Sequence, residues 1–333
     1  MNYVGIDVSY KELVMAVSVK GVFRKTKTFE NTSSGHKLII KQLSKLNGHS
    51  QVCIEATGIY HFDLALALSL TKNSDVMVLN PKVSHSFANV LMKRSKTDAI
   101  DAEILATYCE LMPFESWQCP ADELISLRAI SRRIAALSKL KSQTKNQLHA
   151  LTAIKGTPRI VIGHTDDLIL VLESQILALR DSALSLILQH EELAEAFRLI
   201  TSIKGIAEAS GIQILSELMF LPRDMNQKQW VAHAGLDPRH FESGSSVSKK
   251  PRISKAGNKY IRQALYMPAL VATRHEPHIK AYYTHLIDDN RLKKVQAICA
   301  VMRKLLHAIH GMFKTGQVFD GSRFYTIKNK VEA

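Results

Sequence analysis

The sequence predicts a mixed α/β N-terminal domain, a pair of long helices, and a mainly α-helical C-terminal domain. Three observations carry that prediction. Three short apolar segments with strand-like alternation crowd into residues 3–31; helix-like and strand-like segments then alternate to about residue 112; and beyond Pro113 and Pro120 the apolar spacing becomes that of long helices.

Residues 3–9 (YVGIDVS), 12–19 (ELVMAVSV) and 22–31 (VFRKTKTFEN) read as an antiparallel meander, with Tyr10 and Lys11 in the first connection and Gly21 in the second. In NTSSGHKLIIKQLSKLNG, Leu38, Ile39, Leu43 and Leu46 fall at helical spacing, Ser33 or Ser34 is the expected N-cap and Gly48 the stop. A buried strand (SQVCIEAT), a helix (HFDLALALSL), a strand (SDVMVLNP) and a helical stretch over 83–112 follow. Two prolines in PFESWQCPAD end this unit. From Glu123 to about Ile154, Leu124, Leu127, Ile130, Ile134, Leu137 and Leu140 recur at steps of three and four beside Arg128, Arg132, Arg133, Lys139, Lys141 and Lys145. GTPRIVIGHTDD reads as a breaker, after which a second helix is expected over 168–197, giving a helical hairpin or an intersubunit coiled coil. The expected division is 1–115, 121–198 and 199–333.

Composition limits the function classes. The 333 residues are 46% hydrophobic and 22% charged, enough to bury a core, which excludes wholesale disorder. The net charge of +14 points to a polyanionic partner or an anionic membrane surface. That charge is concentrated: residues 231–333 hold 18 Lys and Arg against 7 Asp and Glu, a net of +11. Trp230, Tyr260, Tyr266, Tyr282 and Tyr283 are interleaved with these cations, either as helix core or as stacking surfaces beside phosphate contacts. No apolar run spans a membrane, and no basic segment leads into an apolar one at the N-terminus, so a cytoplasmic protein without membrane partners is expected. Cys53, Cys109, Cys119 and Cys299 show no CxxC or Cys/His ligand spacing and are expected to be reduced, mostly buried thiols.

Four acids sit where carboxylates are expensive. Asp7 lies within an apolar strand and Glu55 at the end of another, and Asp98 and Asp101 are three apart on one helix face. Each could be neutralised by one of the many lysines; together they are the hard oxygen donors that Mg2+ takes, and a pair of such ions about 4 Å apart activates a nucleophile and steadies a leaving oxygen on phosphate. A meander with the fourth strand beside the first brings Asp7 and Glu55 together. Further on, ESGSSVSKKPRISKAG reads as a basic loop with hydroxyls at Ser243, Ser245, Ser246 and Ser248 among Arg239, Lys249, Lys250, Arg252 and Lys255. Such a loop contacts phosphate, or carries a serine that attacks one.

GIDVS, CIEATGIY and KTDAIDAE resemble the DEDD catalytic domain of the insertion sequence 110 family transposases, relatives of the pilin gene-inverting recombinases. AGLDPRHFESGSSV followed by SKAGNKYIRQALYMPA resembles that family's C-terminal segment. The resemblance covers about 1–112 and 200–320 and implies a ribonuclease-H-like, Holliday-junction-resolvase-like fold for the N-terminal domain. It also implies Mg2+ or Mn2+ on Asp7, Glu55, Asp98 and Asp101. Ser243 becomes the nucleophile of a phosphoserine intermediate, assisted by the acids of a neighbouring subunit. The implied partners are double-stranded donor and target DNA, a structured noncoding guide RNA that bridges them, and further copies of the chain as a dimer or tetramer, in the bacterial cytoplasm with the nucleoid. One departure is LITSIKGIAEASGIQILSEL, where Lys204, Gly205, Ile206 and Ala207 replace the Pro-Gly-hydrophobic-Gly of a helix-hairpin-helix-like element. Two alternatives stay open: a metal-dependent junction nuclease with no covalent intermediate, and a nonenzymatic nucleic-acid scaffold.

Overall fold

Asn2–Val8 forms β1 and Glu12–Val19 forms β2, antiparallel neighbours from Asn2 opposite Val19 to Val8 opposite Leu13. The predicted third strand is two: Val22–Phe23 (β3) and Lys27–Glu30 (β4) pair with opposite ends of β2, and the polar stretch Arg24-Lys25-Thr26 between them belongs to neither strand, though the Arg24 amide still donates to the Val17 carbonyl at 2.9 Å. After helix α1 (Ser33–Leu43), strand β5 (Ser50–Glu55) lies parallel to β1; after α2 (Phe62–Ser69), strand β6 (Ser74–Leu79) extends the sheet in the order β3-β2-β1-β5-β6. These coordinates are a computed structural model that describes residues 1–92, 95, 97–243 and 247–327, the side chains of 240–251 lying outside the description. The chain divides into two compact units, 1–119 and 120–333.

In the first unit the sheet is covered on both faces. Ile39, Leu43, Leu64 and Leu68 of α1 and α2 pack with Val4, Ile6, Leu13, Val52 and Ile54. On the other face, Leu105 and Cys109 meet Cys53, Met77 and Leu79, and Ala102 meets Val14 and Ala16. The cap of α1 is Thr32 rather than either serine, because its side chain accepts from the Gly35 amide. The helix ends at Leu43, before Gly48. The predicted helical stretch over 83–112 is divided into α3 (Pro81–Val90) and α4 (Asp98–Leu111): Thr97 accepts from the Ile100 amide at 3.3 Å and starts a fresh helix.

The second unit opens with α5 (Asp122–Ala153) and α6 (Arg159–Gln189), which pack antiparallel through Ile134 and Leu137 against Leu172 and Ile176. The expected breaker shrinks to the residues before Arg159, since Pro158 suits a helix start and RIVIGHTDD is helical. A break at His190 separates α6 from α7 (Glu191–Thr201), and α8 (Glu208–Leu218) and α9 (Gln227–Ala234) follow. Gly205, at φ +111, sits between α7 and α8, and a Cβ there would come within 2.8 Å of the Pro268 carbonyl oxygen, so its freedom serves helix packing. The basic serine segment, expected as a loop, contains a hairpin of β7 (Pro238–Ser243) and β8 (Val247–Ile253). Helices α10 (Lys259–His275), α11 (Pro277–Asp288), α12 (Lys294–Thr315) and α13 (Gly321–Phe324) complete the unit around Ile200, Leu215, Leu265, Val301 and Leu305. Among the described residues no helix is long and apolar enough to cross a membrane. Cys53 and Cys109 are buried, Cys299 is half-buried and Cys119 is exposed.

Candidate active site

The parallel register of β1 and β5 ends with Ile6 beside Ile54, so Asp7 and Glu55 leave neighbouring strands at the same edge of the sheet. Helix α4 reaches that edge because Gly5 lets it: a Cβ on Gly5 would lie 2.0 Å from the Ala102 carbonyl oxygen. Asp98 and Asp101 occupy the first turn of α4, where the helix dipole favours negative charge. All four acids therefore share one electrostatic neighbourhood. The Asp7 carboxyl is pushed up to about 6, first by burial and then by the charges of Asp101, Asp98 and Glu55. Among the described residues no three His, Cys, Asp or Glu side chains stand at metal-ligand spacing.

Glu55 is held by two hydroxyls that sequence reasoning missed. Ser84 Oγ donates to Glu55 Oε2 at 2.5 Å and Thr57 Oγ1 to Glu55 Oε1 at 3.3 Å. Thr57 stood two residues away in CIEATG as a visible signal; Ser84, 29 residues on, had none.

Ser243 is the last residue of β7, opposite Val247 of β8. Ser245 and Ser246 lie outside the described residues, as do the side chains of Ser243, Ser248, Lys249 and Lys250. Arg239 and Arg252 are exposed and directly opposite each other in the β7–β8 register. The base of the hairpin is laced shut. Ser254 Oγ donates to Asp237 Oδ1 at 2.5 Å, the Ser254 amide to the Asp237 carbonyl at 2.8 Å, and the amide of exposed Lys255 to the Gly235 carbonyl at 3.0 Å.

A buried node, also missed, secures that base. Glu217, 1% exposed, accepts from Arg132 Nε at 2.7 Å and Nη2 at 3.1 Å, from Asn258 Nδ2 at 2.6 Å, and faces Arg128 Nε at 3.3 Å. Burial pushes the Glu217 carboxyl up, but the Arg132 hydrogen bond and the Arg128 charge outweigh it and leave it below the usual carboxylate range. Asn258 also caps α10, and its amide donates to the His233 carbonyl at 2.7 Å. Two of the cations expected on a solvated or nucleic-acid-facing stripe of α5 thus point inward.

Residues 4–154 match a DEDD transposase family of the IS110 type, and residues 197–284 match the family described as transposase IS116/IS110/IS902. The chain is 30% identical over 328 residues to a pilin gene-inverting protein of Moraxella lacunata, covering 96% of this chain and 98% of that one. A pilin gene-inverting protein of Moraxella bovis is 29% identical over 324 residues, with the same coverage.

Proposed function

We propose a chemistry from one premise: the chain belongs to the IS110 family of transposases, related to the pilin gene-inverting recombinases, and is an enzyme acting on DNA. It cuts and rejoins DNA through a phosphoserine intermediate, with Ser243 as nucleophile and Asp7, Glu55, Asp98 and Asp101 as the divalent-metal site. The observation that carries this reading is the shared field of the four acids, registered in the raised Asp7 carboxyl. Four hard oxygen donors that repel one another fit Mg2+ or Mn2+, and the hydroxyls of Ser84 and Thr57 hold Glu55 as outer partners hold a ligand. When bound, the metal supplies electrostatic stabilisation of charge developing on the phosphate.

The chain's own residues do the rest. Ser243 Oγ forms the ester bond to phosphorus as the bond to one strand oxygen breaks; the serine proton is released and a proton returns to the departing strand hydroxyl. Attack by a strand hydroxyl on the ester reverses the exchange, so the number of phosphate esters is conserved and no free break persists. Arg239, Lys249, Lys250, Arg252 and Lys255 hold the phosphate backbone near the hairpin. The finer architecture belongs to the same proposal: a ribonuclease-H-like domain over 1–115, a coiled-coil middle over 121–198 and a transposase domain over 199–333. A structured guide RNA and a homo-oligomer extend it; the net charge of +14 and its concentration near the serine segment are compatible with the polyanionic RNA.

The test is a trap. The full chain incubated with DNA, Mg2+ and the RNA encoded beside the gene should leave DNA covalently attached on denaturing electrophoresis, with the adduct mapped by mass to Ser243. Ser243→Ala should lose the adduct and keep nucleic-acid binding, and Ser245→Ala and Ser246→Ala should keep both. Cleavage that survives Ser243→Ala but not Asp7→Asn would replace the recombinase with a junction nuclease.

A further inference from the structure

The rim of the acid cluster carries aromatic rings that the chemistry above does not use. Tyr10 is 67% exposed, Tyr60 42% and Ile59 77%, a set of large side chains left in water. The tyrosine rings are 5.4 Å apart and tilted by 59°. They follow the two acids on the two parallel strands, Tyr10 three residues after Asp7 and Tyr60 five after Glu55. Chain length alone keeps the Cα atoms of Tyr10 and Asp7 within about 11 Å, roughly three base steps of a nucleic-acid strand.

The loops that bear the rings are fixed. Asn31 Nδ2 donates to the Ser9 carbonyl at 2.9 Å and to the Tyr60 carbonyl at 3.1 Å, so one side chain ties both loops together. Asn31 Oδ1 is itself paired with His36 Nε2 of α1 at 2.9 Å. The turn under Tyr10 is closed by Ser9 Oγ, which accepts from the Glu12 amide at 3.0 Å and donates to its carbonyl at 2.9 Å. Exposed rings on preordered backbone lose little entropy when a flat ligand covers them.

We propose that Tyr10 and Tyr60 form a stacking platform for an unstacked nucleobase a few nucleotides from the phosphate that the acids serve. Every base offers a π face, so such a platform grips a strand without reading its sequence. The assignment to a strand being cut rests on the carboxylate reading; the stacking does not, and is tested without metal.

The probe is a DNA duplex with a one-nucleotide gap facing 2-aminopurine, bound by the full chain in EDTA; an RNA hairpin with 2-aminopurine in its loop is the second arm. Wild type and the Tyr10→Phe/Tyr60→Phe variant should quench the fluorophore. Tyr10→Ala/Tyr60→Ala should abolish quenching and weaken binding to the probe about tenfold, the lower part of the range for base stacking. Affinity for a fully paired duplex should stay unchanged. If the double variant melts early, Tyr10→Ala alone, on the more exposed ring, carries the test. Quenching of DNA alone assigns the base to the substrate strand, and of RNA alone to a guide strand. Unaltered probe binding by the alanine variant, equal loss on the paired duplex, or failure of the phenylalanine variant to quench overturns the platform. Loss of cleavage in Asp7→Asn bears on the carboxylate reading and leaves this result untouched.

Discussion

Asp7 shows how one carboxyl records its surroundings. Its ordinary value is 3.8 and its folded value about 6, so between those pH values the native state binds more protons than the unfolded state. Stability therefore falls as pH rises from about 4 to 6, and the loss is complete above 6. Asp7→Asn should remove it, gaining about 1–2 kcal/mol at pH 7.5 in EDTA once partial exposure is allowed for, and almost nothing at pH 3.5. Urea titrations at both pH values check this; an equal effect at each would mean that the acid is neutralised within the protein. Excess Mg2+ should then stabilise wild type and not Asp7→Asn, by the mass action of a ligand that binds only the native state. Glu217 is the opposite case, a carboxylate already neutralised. Glu217→Gln leaves Arg128 and Arg132 facing a neutral amide and should cost about 3–5 kcal/mol, read as a lower urea midpoint at unchanged slope. A loss below about 1 kcal/mol would mean that water replaces the carboxylate.

At the scale of elements, what was legible in the sequence follows from where side-chain pattern and backbone agree. β1, β2, β5 and β6 were legible because their apolar residues pack on a sheet covered on both faces, and the placement of β5 beside β1 followed from the meander. The β7–β8 hairpin was not legible: Arg239 and Glu242 face Arg252 and Ser248, so no apolar alternation marks a ribbon held by its backbone. Nor was the break before α4, which depends on a capping hydroxyl at Thr97 within an otherwise continuous helical rhythm. Glu217 and its arginines were invisible for a different reason: Arg132 lies 85 residues away in sequence. Of the site, the residue types of the acids were legible, while their common field required α4 to lie against Gly5. Gly5→Ala tests that contact, since its methyl meets backbone rather than a side chain that can turn away. It should cost about 1–3 kcal/mol as overpacking does, and should reduce DNA cleavage further than the stability loss accounts for. Cleavage in step with the folded fraction would show that α4 shifts without disturbing the acids.

For the molecule as a whole, the two units divide the charge very unequally. Residues 1–119 hold 13 Lys and Arg against 11 Asp and Glu, a net of +2, whereas 120–333 hold 31 against 19, a net of +12. The unit with the acid cluster is thus nearly neutral, and the proposal that the cations of the serine segment grip DNA puts electrostatic attachment on the other. Five phosphate contacts from Arg239, Lys249, Lys250, Arg252 and Lys255 would give log K a slope of about −4.5 against log salt, roughly a 500-fold loss of affinity between 50 and 200 mM. Replacing all five by alanine should flatten the slope by that amount, measured by fluorescence anisotropy with a duplex probe. Residues 1–119 alone should bind weakly with a slope near zero, and because that unit has its own core it should still melt cooperatively. The rival surface is the exposed side of α5, where Arg133, Lys139 and Lys145 remain after Arg128 and Arg132 have turned in toward Glu217, Lys145 in an ion pair with Glu173 of α6 at 3.0 Å. If the five-alanine variant keeps the wild-type slope while alanines at Arg133, Lys139 and Lys145 lower it, DNA lies along the helical pair instead. The cations around Ser243 then hold only the phosphate under attack.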